Sequence, residues 1–117
     1  SYGELRGIDI TTGERLWQSD AMTAQDRFGT AYFVKNNDRY FVMNDAGELI
    51  IARFNPEGYE EVDRTPLLEP TLRTRGGASG RWNDRTVLWA HPAFANQHIV
   101  VRNDREIIRV SLATVDY

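Results

Sequence analysis

A chain of 117 residues with 41% apolar side chains and a formal net charge of −3 has the composition of one globular domain with a modest core. Mean hydropathy is −0.52, and no apolar run approaches the about 18–20 residues that a membrane-spanning helix needs. The negative balance excludes long-range attraction for nucleic acid or anionic membranes, and the absence of cysteine removes disulfides, thiolate metal sites and cysteine nucleophiles together.

Taken in chain order, the elements are short and strand-like. No charged-then-apolar leader opens the sequence, which starts with serine, so the chain reads as processed or as part of something longer. The first unit is "GIDITTGERLW" (7–17), a strand, a Thr-Gly turn and a second strand ending in tryptophan. In it Asp9 and Thr12 are placed to cap the turn through side-chain bonds to backbone amides, and Gly13 supplies the positive φ that the turn needs. Trp17, on the outer strand, is expected to lie flat between neighbouring units and bury its ring there. Next come "GTAYFVKNN" (29–37), the hairpin "RYFVMNDAGEL" (39–49) continuing into "ELIIARF" (48–54), and "GYEEVDRTPL" (58–67). An insert, "EPTLRTRGGASGRWNDR" (69–85), leads to "TVLWAHPAFAN" (86–96) and to a second hairpin, "HIVVRNDREI" (98–107), that runs into "EIIRVSL" (106–112).

Self-comparison shows a repeat. Three acidic-then-apolar runs begin at Glu4, Glu48 and Glu106, and the last two follow hairpins in which Asn-Asp closes one β-rich run before the next opens. Asn and Asp favour such turns because they tolerate left-handed backbone and bond their own main chain. Four short strands in a period of about 40–50 residues, with no sustained helical period, point to an all-β fold of antiparallel four-stranded β-propeller blades. With strands lettered A to D in each blade, residues 1–20 are strands C and D of one blade and 28–67 a complete blade. Residues 69–85 are an inter-blade loop, and 86–117 are strands A to C of a further blade. The chain thus holds about two blades plus partial strands, with about eight or nine strands and no helix beyond a turn or two.

The opening unit resembles the tryptophan-docking motif of PQQ-like (quinoprotein-type) β-propeller repeats, whose usual form is Ala-x-Asp-x-x-Thr-Gly-Lys-x-x-Trp. Asp9, Thr12, Gly13 and Trp17 match, while Gly7 stands for the alanine and Glu14 for the lysine. A second copy, "ARFNPEGYEEV", keeps Ala52 and Gly58 but departs at Phe54, Glu57 and Val62, and a third begins in "RVSLATVDY". The wider text is similar to the C-terminal part of bacterial proteins of this class, which are related to the outer-membrane assembly lipoprotein of that fold. The resemblance implies a periplasmic or cell-envelope location. It also raises PQQ-dependent dehydrogenases, in which the quinone lies against a tryptophan floor and a disulfide of adjacent cysteines, beside calcium and an aspartate base. Here there is no cysteine, no acidic set matches the calcium site, and no quinone-binding residue carries over, so no cofactor is expected.

Other candidate chemistry is thin. His91 and His98 are the two histidines, at a spacing that suits neither a helix face nor an H-x-H strand, so a metal site would need scattered carboxylates. His91, in "AHPAF" on the expected innermost strand, is the candidate for a central channel, with Trp89 as a candidate floor. Both read more simply as structural residues. "GGASG" (76–80) lacks the Gly-x-Ser-x-Gly spacing and the Gly-Lys-Ser/Thr pair of a nucleophile or phosphate loop. Arg73, Arg75, Arg81 and Arg85 flank it with Trp82 between; they are candidates for holding an anion or acidic partner, against the simpler reading of a solvated connector. Glu57, Glu60, Glu61 and Asp63 read as a charged guard on an edge strand.

The sequence therefore favours a non-catalytic scaffold or protein-binding module. Its partners would be the remainder of its own propeller or other proteins, with no nucleic acid, no membrane insertion, and self-association through open blade edges. The alternative is a fragment of a PQQ-dependent dehydrogenase whose catalytic residues lie outside this chain; a third is a sugar- or polymer-binding propeller domain.

Overall fold

Antiparallel strands joined by tight turns make up the fold seen in the computed structural model, which describes residues 3–23, 26, 28–74 and 85–114; no helix forms among these residues. The central sheet is a four-stranded meander, and two strands precede it. These are β1 (Leu5–Ile8) and β2 (Arg15–Ser19), paired as a hairpin. The meander itself comprises β3 (Ala31–Asn36), β4 (Arg39–Asn44), β5 (Glu48–Asn55) and β6 (Gly58–Pro66), in the order β3-β4-β5-β6. Two short strands follow, β7 (Leu72–Thr74) and β8 (Arg85–Val87), paired with each other. The last sheet has β9 (Ala93–Ala95), β10 (His98–Arg102) and β11 (Ile107–Ser111), with β10 in the middle.

Turn chemistry fixes these boundaries. Asn96 and Gln97 both adopt left-handed φ (48° and 59°) between the paired residues Ala95 and His98, the two-residue geometry whose twist suits a β-hairpin. Asn37, with φ 57°, takes the same region in the β3–β4 turn.

The central sheet is covered on both faces, which is why β4 and β5 are almost continuously apolar rather than alternating. On one face Val42, Ile50 and Ala52 are buried with Met22, and Leu5 of the first hairpin packs against them. On the other, Met43 and Leu49 are buried with Leu68, Leu88, Ile99 and Val101, drawing in Phe94, Ile108 and Val110 of the last sheet. The molecule is therefore a stack in which the first hairpin and the last sheet sandwich the meander.

Two sequence expectations change. The segment 69–85, read as a loop, contains β7, and the strand read over 86–96 is broken into β8 and β9; eleven strands are formed among the described residues instead of eight or nine. The break has a local cause. The Leu88 amide donates to the Asp45 carbonyl at 2.7 Å, away from any sheet partner, and Pro92 has no N–H to offer a ladder. No helix among the described residues is long and apolar enough to cross a membrane.

Candidate functional site

Several polar side chains of this fold close turns, and some fasten one sheet to another. The turn between β1 and β2 is built around Asp9. Its Oδ1 accepts from the Thr11 amide (2.8 Å), the Thr11 hydroxyl (2.6 Å) and, at longer range, the Thr12 amide (3.4 Å). Thr12 Oγ1 accepts from the Glu14 amide at 3.2 Å. Gly13 has φ 74° and donates its N–H to the Asp9 carbonyl at 2.7 Å. The Thr11 hydroxyl and these amides hold the Asp9 carboxyl below the usual carboxylate range. A depressed carboxyl stabilises the fold while ionised, and that contribution is lost as pH falls through its folded-state value.

Trp17 stands directly opposite Gly7 in the hairpin, and a Cβ on Gly7 would land inside its indole ring. This explains why glycine, not alanine, occupies position 7. The indole is half-buried, and Nε1 donates to the Asn55 carbonyl at 3.1 Å, tying the first hairpin to the β5–β6 turn. Trp17→Ala is expected to destabilise the fold by about 2–3 kcal/mol, below the value for a fully buried tryptophan because the ring keeps some exposure. Equilibrium urea unfolding measures this. A loss under about 1 kcal/mol would mean that the ring contributes little to holding the hairpin.

A second device occurs twice. Asn44, 2% exposed, accepts at Oδ1 from the amides of Ala46 (3.1 Å) and Glu48 (3.0 Å), while its Nδ2 donates to the Met22 carbonyl at 3.0 Å. Asn103 does the same one repeat later: Oδ1 accepts from Arg105 and Glu106 amides at 2.8 and 2.9 Å, and Nδ2 donates to the Glu69 carbonyl at 2.9 Å. Each asparagine closes its own turn and grips the main chain of a connection beside it: the stretch between β2 and β3 at Met22, and the stretch between β6 and β7 at Glu69. The repeat in the sequence marked these residues as turn formers; their outward grip gave no sequence signal.

Two arginines act similarly. Arg64 donates to Glu48 (3.0 Å), Glu61 (2.6 Å) and the Ala21 carbonyl (2.6 Å). Arg85, grouped by sequence with a solvated connector, instead bridges Asp26 (Nε to Oδ2, 3.2 Å) and the buried Asp45 (Nη2 to Oδ2, 3.0 Å). Asp45 also accepts from the Thr30 amide at 3.2 Å.

The remaining candidates sit apart from this machinery. His91 is exposed and lies in the segment just before β9, with its ring 4.1 Å from that of Tyr32. Trp89 is half-buried; its carbonyl accepts from the Tyr32 hydroxyl at 3.0 Å, and its Nε1 is buried without a hydrogen-bond partner. Tyr32, Trp89 and His91 therefore meet where the central sheet and the last sheet begin. Arg73 is exposed on β7, opposite Thr86. Arg75, Arg81, Trp82 and the "GGASG" stretch lie outside the described residues, so the four arginines are not seen as a set. Of the edge acids on β6, Glu60 and Glu61 pair with Arg53 (3.7 Å) and Arg64. Among the described residues no three His, Asp or Glu side chains gather as a metal site.

One seam is only half filled. The first hairpin covers the β5–β6 side of the central sheet and leaves a cleft of about 580 Å³ beside β1, lined by Leu5, Arg6, Met22, Thr23, Ala31 and Phe33. No family model, curated protein or solved structure matches the chain.

Proposed function

We propose that this chain is a non-catalytic segment of a β-propeller of the PQQ-like repeat class, the central sheet serving as a complete blade and the first hairpin and last sheet as parts of its neighbours. On this reading it works as a scaffold or protein-binding module in the periplasm or envelope of a bacterium, partnered by further blades or by other proteins. The observation that carries the proposal is the use made of its polar groups. Asp9, Asn44, Asn103, Arg64 and Arg85 are engaged in closing turns and fastening one sheet to the next. A four-stranded meander stacked face to face on both neighbours is also how propeller blades hide their apolar faces.

Titration with PQQ and calcium tests the non-catalytic reading. The expected result is an unchanged quinone absorbance spectrum and no dye-coupled alcohol oxidation. Cofactor-dependent turnover would replace the proposal with the dehydrogenase-segment reading.

A further inference from the structure

β1 and β11 are edge strands: among the described residues β1 is paired only with β2, and β11 only with β10. Beside the free edge of β1 lies the cleft described above, floored by Ala31 and by Phe33, which is 42% exposed. This floor continues the interface already made by the first hairpin: Leu5, Met22 and Ala31 belong to the same apolar cluster that the hairpin covers. A strand laid into the cleft would bond along β1 and extend that cover over β3.

The last sheet offers such a strand. Ile108 and Val110 of β11 face the core of their own molecule. The alternate residues Ile107, Arg109 and Ser111 are turned away from it, with Ile107 69% exposed. An exposed isoleucine on an edge strand with one open side is a ready element for strand addition.

We infer that the cleft between β1 and β3 receives β11 of a second copy of this chain, in a head-to-tail contact. β11 of the incoming copy pairs with β1, and Ile107 packs on Phe33. The incoming last sheet then lies between two central sheets, its own and that of its neighbour, so both of its faces are covered. The two surfaces differ, so the contact is heterologous and propagates until the rotation closes a ring.

Sedimentation velocity at micromolar concentration, with two variants, tests this. The wild-type chain is expected to sediment as a multimer. Phe33→Lys, in the cleft, and Ile107→Lys, on β11, each change an exposed side chain and are expected to give monomers. An equimolar mixture of the two should recover a dimer, because each variant keeps the surface that the other has lost. A monomeric wild type, multimers formed by either variant alone, or a mixture that stays monomeric would each overturn the inference. Far-UV circular dichroism checks that the variants fold. If Phe33→Lys does not, Phe33→Gln takes its place, together with amide exchange on the wild type. Protection in β1 and β11 should then fall on dilution, and concentration-independent exchange there would also overturn the contact. None of these outcomes depends on whether the chain binds a quinone.

Discussion

Gly47→Ala is expected to cost about 4 kcal/mol of stability, from left-handed backbone strain and the loss of about two hydrogen bonds. Gly47 turns the chain from β4 into β5 with φ 79°. A Cβ there would overlap the Leu68 carbonyl oxygen. The turn cannot simply retreat, because the Gly47 carbonyl accepts from the amides of Leu67 (2.9 Å) and Leu68 (3.3 Å). Backing away from the overlap therefore breaks the contact between this turn and the segment leaving β6. Gly13→Ala provides the comparison. Its φ is also positive, at 74°, but nothing lies within 4 Å of the added carbon, so the expected cost is only about 1–2 kcal/mol. Urea unfolding of the two variants separates strain from collision. Equal losses would show that the Leu68 carbonyl yields easily.

Arg85→Ala should follow, at about 3 kcal/mol. The carboxylate of Asp45 is 2% exposed and takes a hydrogen bond from Arg85 Nη2 at 3.0 Å. Removing the guanidinium leaves that charge buried with the Thr30 amide as its remaining hydrogen-bond donor named above. The value sits at the lower end for broken buried pairs because the Arg85 and Asp26 side chains are 18% and 20% exposed. Asp45→Asn added to Arg85→Ala should recover part of the loss, since the stranded charge is gone. If the double variant is as unstable as the sum of the single ones, the pair is not coupled and its distance is incidental.

Much of the fold was legible because its signals are local. The meander expected at 28–67 forms as β3 to β6, each turn set by Asn, Asp or Gly within a few residues. The turn at Asp9 is likewise contained in six residues. What was hidden depends on distant partners. Arg85 meets Asp45 and Asp26, and nothing in the sequence joins those positions. The break before Pro92 needed the Asp45 carbonyl to draw off the Leu88 amide. The half-filled cleft follows from where the first hairpin lands on the central sheet, which strand patterns do not specify. Trp17 falls between these cases. Its place in the motif predicted a docking role, while its half-burial follows from Gly7 allowing the ring to fold down onto its own hairpin.

The paired asparagine grips have a consequence for how such a chain can diverge. Asn44 and Asn103 hold neighbouring connections by the carbonyls of Met22 and Glu69. A main-chain carbonyl is the same acceptor whatever side chain it carries. One residue per repeat therefore fixes the attachment without reading the side chain at the fastened position, as the buried Met22 at one junction and Glu69 at the other show. Architecture of this kind can outlast recognisable text: two such chains could keep their fastenings while sharing little more than an asparagine at each turn.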